Sequence, residues 1–138
     1  MTRDTTPSIV RINPPELGTP PGYSHVVDVS AGRIIFIAGQ TALDRDGKVV
    51  GKHDFAVQAA QVFCNLIIAL QASGCTATNL VKLTVFLTDM DNLTLYREAR
   101  NLFFASVTPA AAPAVTLVEV SKLYGPDFLI EIEAIAAV

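Results

Sequence analysis

Tryptophan is absent from this 138-residue chain, cysteine and histidine occur only twice each, and charged residues make up 17% of it. Cys64 and Cys75 do not have the spacing of a metal or redox motif, so we expect two reduced thiols. His25 and His53 have no second ligand at a recognisable spacing either. These absences argue against a metal site.

Positive charge and long apolar runs are also scarce. The net charge is −3 and the pI is about 5.2, which leaves no basic stripe for a nucleic-acid backbone and argues against such a partner. No apolar run reaches about 18 uninterrupted residues, so no transmembrane helix is predicted. The N-terminus, residues 1–10, is polar and lacks the apolar segment of a secretory signal, which favours a cytoplasmic protein.

Apolar residues, in contrast, are abundant, at 51% of the chain. The length predicts a single domain over residues 1–138. Since the composition is apolar for a small monomer, we interpret the excess as surface buried between subunits. Residues 1–21 form a proline-rich arm that is expected to be irregular, with at most a short strand near Ile9–Ile12.

Hydrophobic periodicity predicts elements in the order β-β-β-α-β-α-β-β. Val26–Ser30 and Arg33–Ala38 are expected to pair as a hairpin through the turn Ala31-Gly32. A first helix is expected to begin after its N-cap, Asp54, and to stop at Gly74.

A strand over Val81–Asp89 and a second helix over Asn92–Ala105, capped by Asp91, are expected next. The second helix is predicted to bury one apolar stripe and to expose Arg97 and Arg100. Its buried stripe comprises Leu95, Tyr96, Ala99 and Phe103. The run Thr108–Pro113 is interpreted as a linker.

The C-terminal region, Pro113–Val138, is predicted to form two strands joined by the turn Tyr124-Gly125-Pro126-Asp127. Alternation along the last strand places Glu131 and Glu133 on one face, the same face as Thr84 and Phe86. We therefore predict an α+β fold in which two helices cover one face of a single mixed sheet. A partner subunit is the simplest cover for the other face.

Five segments carry a resemblance to a known family. They are Gly22-Tyr23-Ser24-His25, Ala38-Gly39-Gln40, Asp54-Phe55 with Gln58 in the same helix, Val81–Leu87 and, most specifically, Ile130–Ala136. From about residue 20 onward the chain resembles the reactive intermediate deaminase (RidA, or YjgF-type) family.

The resemblance implies a chorismate-mutase-like fold, assembled as a homotrimer around a central barrel with three clefts between subunits. It also implies hydrolysis of imines and enamines, such as 2-aminoacrylate, to 2-keto acids and ammonia without a cofactor. In such proteins a glutamate of the last strand holds the attacking water, and Glu131 matches it. Tyr23 matches a tyrosine at the cleft mouth.

One position departs from the family pattern. The arginine that grips the substrate carboxylate lies in a segment Pro-Ala-Arg-Ser/Thr, and this chain reads Pro113-Ala114-Val115-Thr116. Losing a bidentate guanidinium contact weakens the binding of a 2-imino acid unless Arg97 or Arg100 replaces it. The predicted cleft is lined by Tyr23, Gly39, Val115, Thr116, Leu117 and Glu131, while Glu133 is expected to be structural.

Three functions stay open at this point. The first is a hydrolytic deaminase of a small imine or enamine, with Glu131 orienting water. The second is a binding or regulatory trimer that kept the cleft and lost the chemistry, which the replacement at Val115 favours. The third and weakest is an endoribonuclease or translation inhibitor, which the acidic pI disfavours.

Overall fold

A computed structural model describes residues 8–30, 32–107 and 112–138. The elements follow the predicted order along the chain. The strands are β1 Ser8–Ile12, β2 Val26–Ser30, β3 Ile34–Gln40, β4 Leu80–Leu87, β5 Ala114–Glu119 and β6 Ile130–Ala137, and the helices are α1 Phe55–Ala72 and α2 Leu93–Ala105. Most of the predicted linker, Thr108–Ala111, lies outside the described residues, as does Ala31 of the predicted hairpin turn.

The strands form two sheets rather than the predicted single one. β1 pairs antiparallel with β2, and the other four strands have the order β3-β6-β4-β5. β4 and β5 run parallel, whereas β6 is antiparallel to both β3 and β4. The final two strands, β5 and β6, are therefore separated by β4 and are not neighbours.

The predicted hairpin between β2 and β3 is wrong, because β2 pairs with β1 and β3 pairs with β6. Backbone bonds at the start of β3 explain the difference. The N–H groups of Gly32 and Arg33 donate to the carbonyl of Val138 at 3.0 and 2.9 Å, and the Val138 N–H donates back to Arg33. The last residue of the chain thus fixes β3 against β6.

Helix α1 confirms both of its predicted ends. Asp54 accepts a hydrogen bond from the Val57 N–H at 3.2 Å, and Gly74 adopts a positive φ of 74° beyond the last turn. One face of α1 is buried against one face of the four-stranded sheet. The buried residues there include Ala59, Val62, Leu66, Leu83, Val85, Ile130 and Ile132.

Helix α2 differs from its prediction in three ways. The N-cap of α2 is Asn92 rather than the predicted Asp91, and Asp89 caps the preceding 3-10 turn Met90–Asn92 by accepting from the Asp91 N–H. Leu95 is 39% exposed, whereas Arg100 is only 9% exposed, so the two exchange their predicted positions. Residues four apart share one side of a helix, and Arg100 therefore follows the buried Tyr96 into the protein.

By length and composition, α1 is long and apolar enough to cross a membrane. A helix of a protein core passes the same test, and α1 buries one stripe of residues against the sheet. Its outer side is apolar as well, with Ile67 and Ile68 exposed.

Both helices lie on the same face of the four-stranded sheet, as predicted. The opposite face, which we call the open face, carries Thr84, Phe86, Glu131 and Glu133, all of them partly or fully exposed. Phe36 of β3 also lies there and is 77% exposed. Among the described residues, no helix of this chain covers the open face.

Candidate functional site

The six residues predicted to line a cleft fall on opposite faces of the four-stranded sheet. Tyr23, Val115 and Leu117 line one cavity on the helix-covered side. Gly39 and Glu131 meet on the open face. Thr116 also points to the open face, because it is the register partner of Thr84. One chain alone therefore does not assemble all six in a single cleft.

The open-face group is built around Glu131. This residue lies opposite Phe86 of β4 and beside Gly39, where the register of β3 and β6 shifts between Ile37 and Gln40. A Cβ at Gly39 would lie 2.8 Å from the Glu131 Cδ, closer than van der Waals contact allows. The missing side chain of Gly39 thus makes room for the Glu131 carboxyl group.

Burial raises the pKa of Glu131, and the neighbouring charge of Glu133 raises it further. A carboxyl group with a raised pKa holds a proton more readily than an ordinary glutamate. It is therefore better suited to accept a proton from water and then to return it.

Glu133 and Thr116 lie on either side of Thr84 on the open face, because each is a register partner of Thr84. Lys82 donates to the Thr116 hydroxyl at 2.6 Å, and Lys82 and Glu133 line a groove of about 510 Å³ together with Phe36 and Ile135. This groove follows the surface that a partner subunit is predicted to cover. The expected structural role of Glu133 stays a prediction.

On the helix-covered side, a cavity of about 270 Å³ lies between β5, α2 and the segment around Tyr23; we call it the arginine cavity. Val115 and Leu117 point into it because they pair with the buried Leu83 and Val85 of β4. Its lining residues are Pro21, Tyr23, Leu93, Tyr96, Arg97, Arg100, Val115 and Leu117. Both arginines of α2 thus reach the surroundings of Val115.

Arg100 is held in place by three neighbours. Its guanidinium lies over the Tyr96 ring, with 5.9 Å from Cζ to the ring centroid. Its Nε and Nη2 donate to the Asn101 Oδ1 at 3.3 and 3.1 Å. A Cβ at Gly22 would lie 2.7 Å from Nη2, and Gly22 also has a φ of 84°, so only glycine suits this position.

Tyr96 was predicted to be buried, but not to be part of a site. Its hydroxyl oxygen is buried and has no hydrogen-bond partner among the described residues. Burial raises the pKa of Tyr96 to about 12, against the opposing effect of the Arg100 charge. The hydroxyl therefore keeps its proton at neutral pH and remains a donor. The spacing of Tyr96 and Arg100 on α2 was the one available signal for this pair.

The remaining titratable candidates have local roles. His25 bonds the Gly18 carbonyl through Nε2 at 3.1 Å and meets the Tyr23 ring edge-on at 5.4 Å between centroids. Cys64 is exposed and Cys75 is buried, and both are free thiols as predicted. Within residues 8–30, 32–107 and 112–138, no three His, Cys, Asp or Glu side chains cluster as metal ligands.

Comparison with known proteins identifies close relatives. The sequence model of the family described as Endoribonuclease L-PSP matches residues 16–138. A RutC family protein of Synechocystis is 39% identical over 109 residues, which cover 78% of this chain and 81% of the relative. Human 2-iminobutanoate/2-iminopropanoate deaminase is 35% identical over 114 residues, covering 83% of this chain and 78% of the relative.

A solved structure is also similar. It is that of a protein of unknown function of the conserved Rid family from Yersinia pestis, with a TM-score of 0.84 and 32% sequence identity. The match covers 94% of this chain and 98% of the Yersinia chain. The similarity therefore extends over both sheets and both helices described above.

Proposed function

The chain belongs to the YjgF/RidA family, whose model is described as Endoribonuclease L-PSP, and on this basis we propose that it is a hydrolytic deaminase of a small imine or enamine. The observation that carries the proposal is the carboxyl group of Glu131, partly buried against Gly39, with a raised pKa. The name of the human relative, an iminobutanoate and iminopropanoate deaminase, supports the substrate class.

In the proposed reaction, Glu131 takes a proton from water as the water oxygen bonds to the imine carbon. The electron pair of the C=N double bond moves to nitrogen, which is protonated to give a carbinolamine. The C–N bond then breaks, ammonia leaves, and loss of the hydroxyl proton gives the carbonyl product. These reaction steps together consume one water molecule, and they need no redox partner and no cofactor.

We further propose that the working cleft lies between subunits of a homotrimer. In one chain, Glu131 and Val115 are on opposite faces of the sheet, so a substrate that touches both groups needs a second copy. The exposed Phe36 on the open face supports burial against such a copy.

The proposal is tested by ammonia release from freshly generated 2-aminoacrylate and 2-iminobutanoate. We expect the wild type to accelerate release and Glu131→Gln to lose about a hundredfold or more of that acceleration, because a positioned base contributes about 10²–10⁴-fold. Glu16→Gln, at an exposed carboxylate that lines neither the arginine cavity nor the groove on the open face, serves as the matched control. Ammonia release equal to that of buffer, or equal rates for wild type and Glu131→Gln, would refute the proposal.

A second candidate function is ligand binding without turnover. It is favoured by Val115, which stands where the resemblance places the family arginine. In that case the wild type binds a small ligand in its cleft and leaves every imine unreacted, and Glu131→Gln changes neither property. The family description also mentions ribonuclease activity, but a net charge of −3 disfavours RNA as a substrate.

A further inference from the structure

Arg100 is an unusual residue to find inside a small protein without an acidic partner. Arginine is seldom buried unless it is paired, because removing the charge from water costs free energy. Among the described residues the one ion pair joins Lys52 and Asp127, on the surface. Arg100 as a whole residue is 9% exposed, and within that part of the chain its guanidinium therefore has no carboxylate opposite it.

Several N–H groups of the Arg100 guanidinium have no acceptor among the described residues. It carries five N–H groups, and the hydrogen bonds to Asn101 use one at Nε and one at Nη2. The Asn101 side chain is neutral, so it accepts hydrogen bonds from Arg100 without neutralising the positive charge of the guanidinium. Within the described residues, three N–H groups of a fixed planar fork remain for an anion in the arginine cavity.

Tyr96 supplies a second unused donor at the same place. Its hydroxyl is buried without a partner among the described residues, although its ring lies directly under the Arg100 guanidinium. Leaving a buried hydroxyl unpaired is unfavourable, and such groups point to a missing partner. An acceptor that bonds both Arg100 and Tyr96 would satisfy the two residues at once.

Besides Arg100 and Tyr96, the lining of the arginine cavity comprises Tyr23, the exposed Arg97 and four apolar residues. The four apolar residues are Pro21, Leu93, Val115 and Leu117. A volume of about 270 Å³ suits a small molecule. The cavity thus joins a cationic, hydrogen-bonding end to an aliphatic end, which matches a short acid with a small alkyl chain.

We propose that Arg100, with the Tyr96 hydroxyl, forms a carboxylate-binding subsite for small aliphatic 2-imino and 2-oxo acids, and that α2 thereby supplies the guanidinium that β5 lacks at Val115. The choice of 2-imino and 2-oxo acids as ligands rests on the proposed function. The expectation that the subsite binds a carboxylate does not depend on it. Val115 then contacts the alkyl chain of the bound acid, and the absence of a side chain at Gly22 leaves space for the Arg100 guanidinium.

The test is a calorimetric titration of the full-length protein with 2-oxobutanoate and with its uncharged match, 2-oxobutanamide. We expect the wild type to prefer the acid by at least about tenfold, the scale of one charged hydrogen bond. Arg100→Met should abolish that preference, because it removes the charge that distinguishes the acid from the amide. Arg45→Met, at an exposed turn residue, should leave the preference intact. An Arg100→Met protein that still prefers the acid, or an Arg97→Met protein that alone loses the preference, would overturn the assignment.

Two further variants guard against misfolding. Tyr96→Phe removes only the unpartnered hydroxyl, so the protein should fold, and its affinity for the acid should fall by about threefold to tenfold. Arg100→Lys keeps the charge but not the planar fork, and it should restore only part of the preference. Unchanged acid affinity in Tyr96→Phe, or full acid preference in Arg100→Lys, would count against the subsite.

Binding and turnover separate this inference from the proposed function. Acid binding that depends on Arg100, without ammonia release from any imine, leaves the subsite standing and refutes the deaminase. Ammonia release whose KM for 2-iminobutanoate is the same in wild type and Arg100→Met leaves the deaminase standing and refutes the subsite.

Discussion

At the scale of single residues, the carboxyl group of Glu131 occupies the space that a side chain at Gly39 would need. Burial there raises its pKa, and Glu133 adds to the increase. A raised pKa means that ionised Glu131 is disfavoured in the folded state. Its contribution to stability is therefore present below the ordinary glutamate pKa and is lost as the pH rises through the raised value.

The same shift predicts a pH dependence of catalysis. Because the proposed base must be ionised, kcat/KM should fall on the acid side as the pH drops through the raised pKa of Glu131. Glu133→Gln removes the second cause and leaves burial in place, so the acid limb should move to lower pH. Glu16→Gln should leave the profile where it is. A profile that does not move in Glu133→Gln, or that moves to higher pH, would contradict the role of Glu131.

At the scale of secondary-structure elements, Gln58 joins α1 to the start of β6, the strand that carries Glu131. Its Nε2 donates to the carbonyls of Asp127 and Gly51 at 2.7 and 3.1 Å. Its Oε1 accepts from the Leu129 N–H at 2.9 Å. The Gln58 side chain is fully buried, so water cannot replace it as the partner of these three backbone groups.

Gln58→Leu should therefore destabilise the protein strongly. It leaves two carbonyls and one N–H unpaired inside the protein, and we expect a loss of about 3 kcal/mol or more in the free energy of unfolding. Gln71→Leu, at an exposed position near the end of α1, is the matched control and should change the free energy by about 0.5 kcal/mol or less. Urea unfolding measures both. Equal midpoints for the two variants would show that the Gln58 bonds contribute nothing.

The helices and strands also show which features of the fold local sequence patterns can predict. Periodicity predicted α1 with both ends, the buried alternation of β4 and the shared face of Glu131 and Glu133, because each follows from local geometry. It failed for the pairing of β2 and β3, because the partner of β3 is the end of the chain, at Val138. Such long-range pairing leaves no local signal.

The candidate site was predictable to the same extent. Tyr23, Val115 and Leu117 do lie together, and so do Gly39 and Glu131. That the two groups lie on opposite faces depends on the register of β4 with β5 and β6, which no single stretch encodes. Arg100 was considered as a replacement for the missing arginine, but its predicted exposure was wrong. A charged residue on a helix is normally assigned to the solvent side, although the spacing of Arg100 from Tyr96 indicated the buried side.

At the scale of the whole molecule, the open face should determine assembly. Phe36 is 77% exposed on that face, and Leu102 is 78% exposed on the outer side of α2. If the sheets meet in a trimer, Phe36→Asp should place a charge in the interface and yield monomers, because burying an unpaired charge is unfavourable. Leu102→Asp should remain trimeric. Light scattering coupled to gel filtration measures both masses, and dissociation of the Leu102 variant alone would assign the interface to the helices.

In the proposed trimer, one cleft uses Arg100 of one copy and Glu131 of another. At low concentrations of 2-iminobutanoate, Arg100→Met alone should lose about tenfold of the wild-type rate and Glu131→Gln alone about a hundredfold or more. When the two variants are coexpressed and mixed oligomers are isolated by two affinity tags, each mixed trimer should contain one cleft in three that has both native residues. Ammonia release should then recover to about a third of the wild-type rate. Mixed oligomers that are no more active than the two parent variants would contradict the shared cleft.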